Sequence, residues 1–421
     1  MDGLEKNGHG NDGKVHDRMK RKGLFMEKDH AKMRYVGKIM VAFLFGAAIM
    51  AFVRYISYGG MNSGTQVNHE EFLKVAEDIE DIVIPETVKI FALGEATHGN
   101  KEFQELKLDL FRKMVEEYNC KAFALEADYG GCLMVNQYIH GEGKMTEDDA
   151  VKALDFRIYQ TDEMRALIRY MADYNKQVKP EEMLSFYGFD MQNYDLDKKC
   201  VDEAFSELKM QYTDMEDAAE TLKNIPGMEV YAQAARCCLQ NEELSNASNV
   251  DYSKMRDHYM AENINWIYEH IQEVNESMLM ISGHNGHVAK KSTFTTFMGK
   301  ELFEKYGDDY CVIGTDFYRT DCNLPGKNGK RITRKFYSAD PLANTAHALG
   351  IHMTYLDFDK LNQSEKMNEI INKSMLMGSL GEGYSFLNKI LPNSYRINDV
   401  PAELYDGMII VTNATPTDIK N

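Results

Sequence analysis

The chain has no G-x-S-x-G sequence, so the strand-to-helix elbow that exposes a catalytic serine is missing and the usual serine-esterase route is excluded. It has no C-x-x-C spacing either, which removes the common zinc and dithiol motifs. Its seven cysteines (Cys120, Cys132, Cys200, Cys237, Cys238, Cys311 and Cys322) cannot all pair, and none stands where a thiol pKa would be lowered. They read as structural, with Cys120 and Cys311 opening apolar runs in which a thiol behaves as a small hydrophobe. Positive charge is also short. Lys and Arg number 48 against 66 Asp and Glu, a net charge of −18, and residues 1–54 hold 11 of the cations and only 6 of the acids, leaving 37 against 60 for the rest. A body of that sign excludes a nucleic-acid surface, which needs clustered cations to displace counterions. Internal repeats and low-complexity runs are absent. With 44% hydrophobic and 11% aromatic residues, the 421-residue chain is globular and long enough for one large core or two smaller ones.

One hydrophobic run is long. Residues 39–53 carry no charge, and with their flanks they give a segment over 36–58 of the length that crosses a bilayer. Ten Lys and Arg precede Ile39, whereas only Arg54 and Lys74 follow closely, so the positive-inside bias places the N-terminus in the cytoplasm and the body outside. The expected organisation is a polar cytoplasmic tail over 1–35, a single-pass anchor in the cell membrane over 36–58, a Gly-rich tether over 59–67, and an extracytoplasmic folded domain over 68–421. A cleaved signal sequence is the alternative reading of the same apolar run.

Beyond residue 68 a rhythm repeats: short apolar run, polar switch, amphipathic segment. The runs are 88–93, 122–125, 184–189, 278–282, 310–314, 352–356 and 407–412. Strands of this length alternating with helical patterns predict an α/β fold with a largely parallel sheet and helices on both faces. Residues 100–117 carry Phe103, Leu106, Leu110, Phe111 and Met114 at helical spacing behind Asn100 as N-cap, which leaves Glu102, Glu105 and Lys107 on the solvated face. Residues 195–275 are helical and charged without a strand, and are expected to form an insertion over the sheet's working edge.

The polar residues after these runs carry the chemistry. Glu95 and His98 follow the first, Glu126 and Asp128 the second, Asp190 the third, His284 and His287 the fourth, and Asp316 the fifth. One such residue alone ordinarily caps a helix. In a parallel sheet they all arrive at one edge, where ligands collect, and Glu95–His98 faces His284–His287 across a cleft with Glu126 between. Without a nucleophilic Ser or Cys, the remaining chemistry is activation of water by an imidazole held by a carboxylate. The other histidines have no such context and read as structural or solvent-facing.

Four spaced motifs, GEATHGNKEFQELK (94–107), AFALEADYG (122–130), YGFDMQ (187–192) and GHNGHVAK (283–290), together with the closing YDGMIIVTNATPT (405–417), resemble the erythromycin esterase family. The resemblance covers nearly the whole body. It implies an α/β core with a helical subdomain, and a hydrolase that opens macrolide lactones by attack of water, without a cofactor, and so confers antibiotic resistance. Position by position, it makes His98 the general base, Glu95 and Glu126 the carboxylates that organise it, and His284 and His287 the opposite wall; in the hydrolase reading, His284 or His287 stabilises the oxyanion. Lys107 stands where family members acting on macrolides carry Arg, nine residues after the base, and the two side chains are not interchangeable. Lys107, Asp190 and Asp316 are assigned to substrate binding, the partner being a small ester or a macrolide. The resemblance also reaches proteins of surface-polysaccharide biosynthesis. Two other readings stay open: Glu95, His98, Glu126, His284 and His287 as ligands of zinc or iron, and a non-catalytic module gripping a sugar. Oligomeric state has no signal in the sequence.

Overall fold

The computed structural model describes residues 32–53, 64–293, 297–326, 330–382, 388 and 391–419. Residues 1–31 of the expected tail, 54–58 of the anchor and 59–63 of the tether lie outside the described residues. The chain divides into two units, residues 1–60 and 61–421. The first contains helix α1 (Lys32–Val53), which at 22 residues is long and apolar enough to cross a membrane.

The second unit is a mixed α/β body. Helix α2 (His69–Val75) opens it, with Asn68 accepting from the Glu71 N–H. There follow β1 (Ala76–Glu77), β2 (Ile90–Glu95), α3 (Lys101–Glu117), β3 (Cys120–Asp128), α4 (Tyr129–Ile139), α5 (Glu147–Ala153), α6 (Asp162–Asn175) and β4 (Ser185–Asp190). Four helices then intervene before the next strand: α7 (Tyr194–Leu208), α8 (Met215–Lys223), α9 (Glu229–Asn246) and α10 (Asn249–Asn275). The chain closes through β5 (Met278–His284), α11 (Asn285–Val288), α12 (Met298–Tyr306), β6 (Tyr310–Pro325), β7 (Arg331–Tyr337), α13 (Pro341–Ala348), β8 (Met353–Asp357), α14 (Phe358–Asn362), α15 (Glu365–Ile371), β9 (Met375–Gly378), β10 (Arg396–Asp399) and β11 (Gly407–Ala414).

The main sheet has the order β1-β8-β11-β6-β2-β5-β3-β4, with β7 paired to the far half of β6, while β9 and β10 form a separate ribbon. All pairs from β11 to β4 are parallel; β8, β1 and β7 are antiparallel additions. Each of the seven apolar runs lies wholly or largely in a strand. Alternate residues explain why the runs are continuous: Ile90 and Ala92 point into one core, and Phe91 and Leu93 into the other. The second core is closed by Phe103, Leu106, Leu110 and Phe111 of α3, the first by residues of α7, α9 and α10 such as Val201, Ala235 and Ile264. A strand covered on both faces has no polar side to alternate with.

Three local expectations change. Asn100 precedes α3 but does not cap it; its side chain bonds Thr97, the Thr320 hydroxyl (2.7 Å) and the Thr415 carbonyl (2.8 Å), tying the turn to β6 and β11. Of the supposed solvated face only Glu105 is exposed. Glu102 turns inward to accept the amide and hydroxyl of Thr415, and Lys107 is completely buried. Finally, β6 continues to Pro325, because past Tyr318 only alternate residues are buried against β7 and the run is no longer apolar throughout.

The glycines at both ends of the 94–99 motif are steric requirements. A Cβ on Gly94 would strike the Asn285 side chain, and one on Gly99 would strike the backbone carbonyl of Asn323 and the Cys322 sulfur. Backbone cannot rotate away. Gly99→Ala is therefore expected to cost about 1–3 kcal/mol, as overpacking of a closed core does, and a thermal unfolding midpoint equal to that of the unsubstituted protein would contradict this packing.

Candidate active site

Strands β2, β5, β3 and β4 end side by side, with Glu95 in register with His284 and Asp128 with Asp190. The turn after β2 folds back so that His98 Nδ1 lies 2.6 Å from Glu95 Oε1. The other oxygen of Glu95 accepts from Lys107 Nζ at 2.7 Å, and the Tyr159 hydroxyl donates to Oε1 at 3.3 Å. Gln104 fixes the loop by donating to the His98 carbonyl at 3.0 Å.

Glu126 is the second anchor. Its Oε2 accepts the backbone N–H of His284 at 2.7 Å and its Oε1 accepts Arg256 Nη2 at 3.0 Å. Arg256, on α10, clasps Asp190 with two nitrogens, Nε to Oδ1 at 3.1 Å and Nη2 to Oδ2 at 2.6 Å. His287 Nε2 lies 3.3 Å from Arg256 Nη1, which can only donate to it, and 3.4 Å from Glu126 Oε1, while Nδ1 lies 2.9 Å from Asp257. The latter contact is off-line for a hydrogen bond. His284 caps α11 by accepting the Gly286 N–H on Nδ1 at 3.3 Å. Its ring centre is 5.3 Å from that of His98 and 6.2 Å from that of His287.

These contacts separate the titrations of the two facing imidazoles. Burial lifts the Glu95 carboxyl, but the Lys107 ammonium and His98 outweigh it and hold it at about 2. Burial depresses His98, yet the charge and hydrogen bond of Glu95 prevail and raise it to about 9. Glu126 is likewise pulled below the carboxylate range against its burial, by His287 and Arg256. His284 has no carboxylate on its ring; burial and the neighbouring His98 and His287 push it down to about 3. One histidine is thus cationic and ion-paired at neutral pH and the other neutral, with its proton on Nε2 because Nδ1 receives Gly286. Environments that drive like groups apart in this way are how acid and base roles are assigned within a site.

Glu95, His98, Glu126, His284 and His287 come together as the spacing predicts. The three residues expected to bind substrate are all buried in other work. Lys107 is wholly enclosed and neutralises Glu95, Asp190 neutralises Arg256, and Asp316 accepts the amides of Phe317 and Gly378 and the Ser338 hydroxyl. Sequence reasoning missed Arg256, Asp257 and Tyr159, which lie off the strand ends. Arg256 did leave a signal: it falls on the stripe of Met260, Ile264 and Ile267 along α10, and a charge on an apolar stripe marks a buried ion pair.

The donor set does not fit a metal. Both oxygens of Glu95 and of Glu126 are already committed to cations or to a backbone amide, so an arriving ion would meet Lys107 and Arg256. Among the described residues, no three His, Cys, Asp or Glu side chains converge as ligands.

The family model described as erythromycin esterase matches residues 115–236 and 195–414. An erythromycin esterase type II from Escherichia coli is 24% identical over 317 residues, 60% of this chain and 73% of that protein. Three solved structures share the fold. One, named for succinoglycan biosynthesis, has a TM-score of 0.67 at 20% identity and covers 84% of this chain and 98% of its own. A Bacillus cereus protein has a TM-score of 0.67 at 18% identity, with coverage of 84% and 100%. A mutant erythromycin esterase in an open conformation has a TM-score of 0.53 at 15% identity, with coverage of 80% and 93%.

Removing the Lys107 ammonium tests the charge balance. Because the folded pKa of Glu95 lies below its ordinary 4.5, its ionised form stabilises the fold above that pH and the stabilisation is lost as pH falls towards 2. In Lys107→Met, Glu95 keeps only His98 as counter-charge, so stability at neutral pH is expected to fall by about 3–5 kcal/mol and acid unfolding to begin at higher pH. Denaturant titrations across pH check both; unchanged acid unfolding would refute the pairing.

Proposed function

This chain belongs to the erythromycin esterase family, and from that membership and the geometry of its His/Glu cluster we propose that it hydrolyses a carboxylic ester or lactone with His98 as the base. The observation that carries the reading is the pairing of a carboxylate-held imidazole, His98, with a neutral imidazole, His284, at a centre-to-centre distance of 5.3 Å. His98 is oriented through Nδ1 by Glu95, leaving Nε2 to take a proton from water. The water oxygen bonds to the substrate carbonyl carbon, and the developing oxyanion accepts a hydrogen bond from His284 Nε2–H. Collapse breaks the acyl C–O bond, and His98 returns its proton to the alkoxide, giving acid and alcohol, or a hydroxy acid from a lactone. His287 Nε2 is occupied by Arg256 Nη1 at 3.3 Å and its Nδ1 faces Asp257, which leaves the oxyanion role to His284.

The family resemblance supports a macrolide lactone as substrate and drug inactivation as the outcome. The buried position of Lys107 bears on this: it serves Glu95, so substrate selection falls to other residues. The apolar helix α1 and the cationic segment before it support a body tethered outside the cell membrane, which protease protection of intact cells tests directly.

With its pKa raised to about 9, His98 is unprotonated in about one molecule in a hundred at pH 7. The expected kcat/KM therefore climbs about tenfold per pH unit from pH 6 to 8 and levels near 9. Full-length protein in detergent would be incubated with macrolides of several ring sizes and with simple aryl esters, and products weighed for the gain of one water. His98→Asn and His284→Ala should each lose about a hundredfold or more. Full turnover in His98→Asn, or a flat profile from pH 6 to 8, would reject the mechanism. Saccharide binding with no ester turned over would instead favour the non-catalytic reading.

A further inference from the structure

The helical insertion holds a cavity of about 580 Å³ between α8, α9 and α10 that none of the His/Glu cluster residues lines. Its walls carry seven glutamates against Lys223 and Arg236. Acidic side chains on exposed helices ordinarily serve solubility, and the charge alone identifies nothing. The floor is different. Gln233 lines the cavity, is 2% exposed, and its Oε1 has no hydrogen-bond partner.

That orphan cannot be removed by turning the amide over. Asn263 gives its Nδ2 to the Phe189 carbonyl and to Gln240 Oε1, so its Oδ1 faces Gln233 and accepts Nε2 at 2.8 Å. A flipped Gln233 would set oxygen against oxygen. The buried network therefore presents an acceptor, in a place where an unmet acceptor is costly. Glu216 and Glu273, also in the lining, make no ion pair among the described residues. Trp266, Leu239 and Ala232 supply apolar wall, and Trp266 has a ring face already stacked on His270 at 4.9 Å.

An acceptor at the floor, excess negative charge around it and an apolar wall together select a ligand that is a cation, bears N–H, and has a hydrocarbon body. We propose that this cavity binds a protonated primary or secondary amine, its ammonium donating to Gln233 Oε1 within the glutamate rim and its apolar body against Trp266. A quaternary ammonium has the charge without the donor, and an alcohol the donor without the charge.

Trp266 is the only tryptophan in the chain, so its emission reports on this cavity alone. Full-length protein in detergent would be titrated with benzylammonium, benzyltrimethylammonium and benzyl alcohol at pH 7, with excitation selective for indole. The expected result is a saturable change with benzylammonium, about tenfold weaker binding of the trimethyl compound, and none of the alcohol. Gln233→Met should weaken benzylammonium about tenfold while leaving the trimethyl compound unaffected, and Glu216→Gln with Glu273→Gln should weaken both cations. No saturable change with benzylammonium overturns the site, and equal binding of the two cations reduces it to a diffuse acidic patch. The comparison of ligands on the unsubstituted protein stands whether or not the Gln233 variant folds.

Discussion

Glu95 is a carboxylate almost without access to water, and the site is arranged around that fact. An isolated buried charge costs far more than a domain's net stability, so it must be paired and hydrogen-bonded or lose its ionisation. Here Lys107, His98 and Tyr159 meet its two oxygens. The same solution is repeated at Glu126 and Asp190, which share Arg256. The result is four acids, Glu95, Glu126, Asp190 and Asp257, interleaved with Lys107, Arg256, His98 and His287, while His284 stays neutral. Catalytic power in such a site comes from dipoles and charges fixed before the substrate arrives.

The fold provides this by bringing distant segments to one edge. Glu95, Glu126, Asp190 and His284 come from four parallel strands whose ends coincide, and that coincidence needs no specific pairing of side chains: parallel strands covered by helices end on the same side. Arg256 and Asp257 come from a different source. They reach in from α10 of the insertion, so the helices that roof the sheet also complete its electrostatics. The arrangement links insertion and site, since displacing α10 would leave Glu126 and Asp190 without their cation.

Much of this was legible in the linear chain. The apolar runs predicted seven of the strands, because burial on both faces produces a continuous signal. Short-range pairs were legible too: Glu95 and His98 lie three residues apart, and the local turn brings them together. The failures have a common cause. Lys107, Glu102 and Asn100 were read from helix geometry as a solvated face and a cap, yet each turns towards a residue distant in sequence, Glu95, Thr415 or Thr320. The second half of β6 and β7 were missed because a half-exposed strand carries polar residues that resemble loop, and β9 and β10 because four residues are too short a run to stand out.

By itself the sequence determined the class of fold, the strand ends where chemistry would collect, and the residue types available for it, since these follow from hydrophobic period and local spacing. Only the tertiary structure decided the roles of charge. Whether a lysine serves solvent, substrate or a buried carboxylate depends on what lies within about 3 Å of its nitrogen, and that is set by packing between segments far apart in the chain. The divergence of His98 and His284, two imidazoles indistinguishable as letters, arises because one has a carboxylate on its ring and the other a backbone amide.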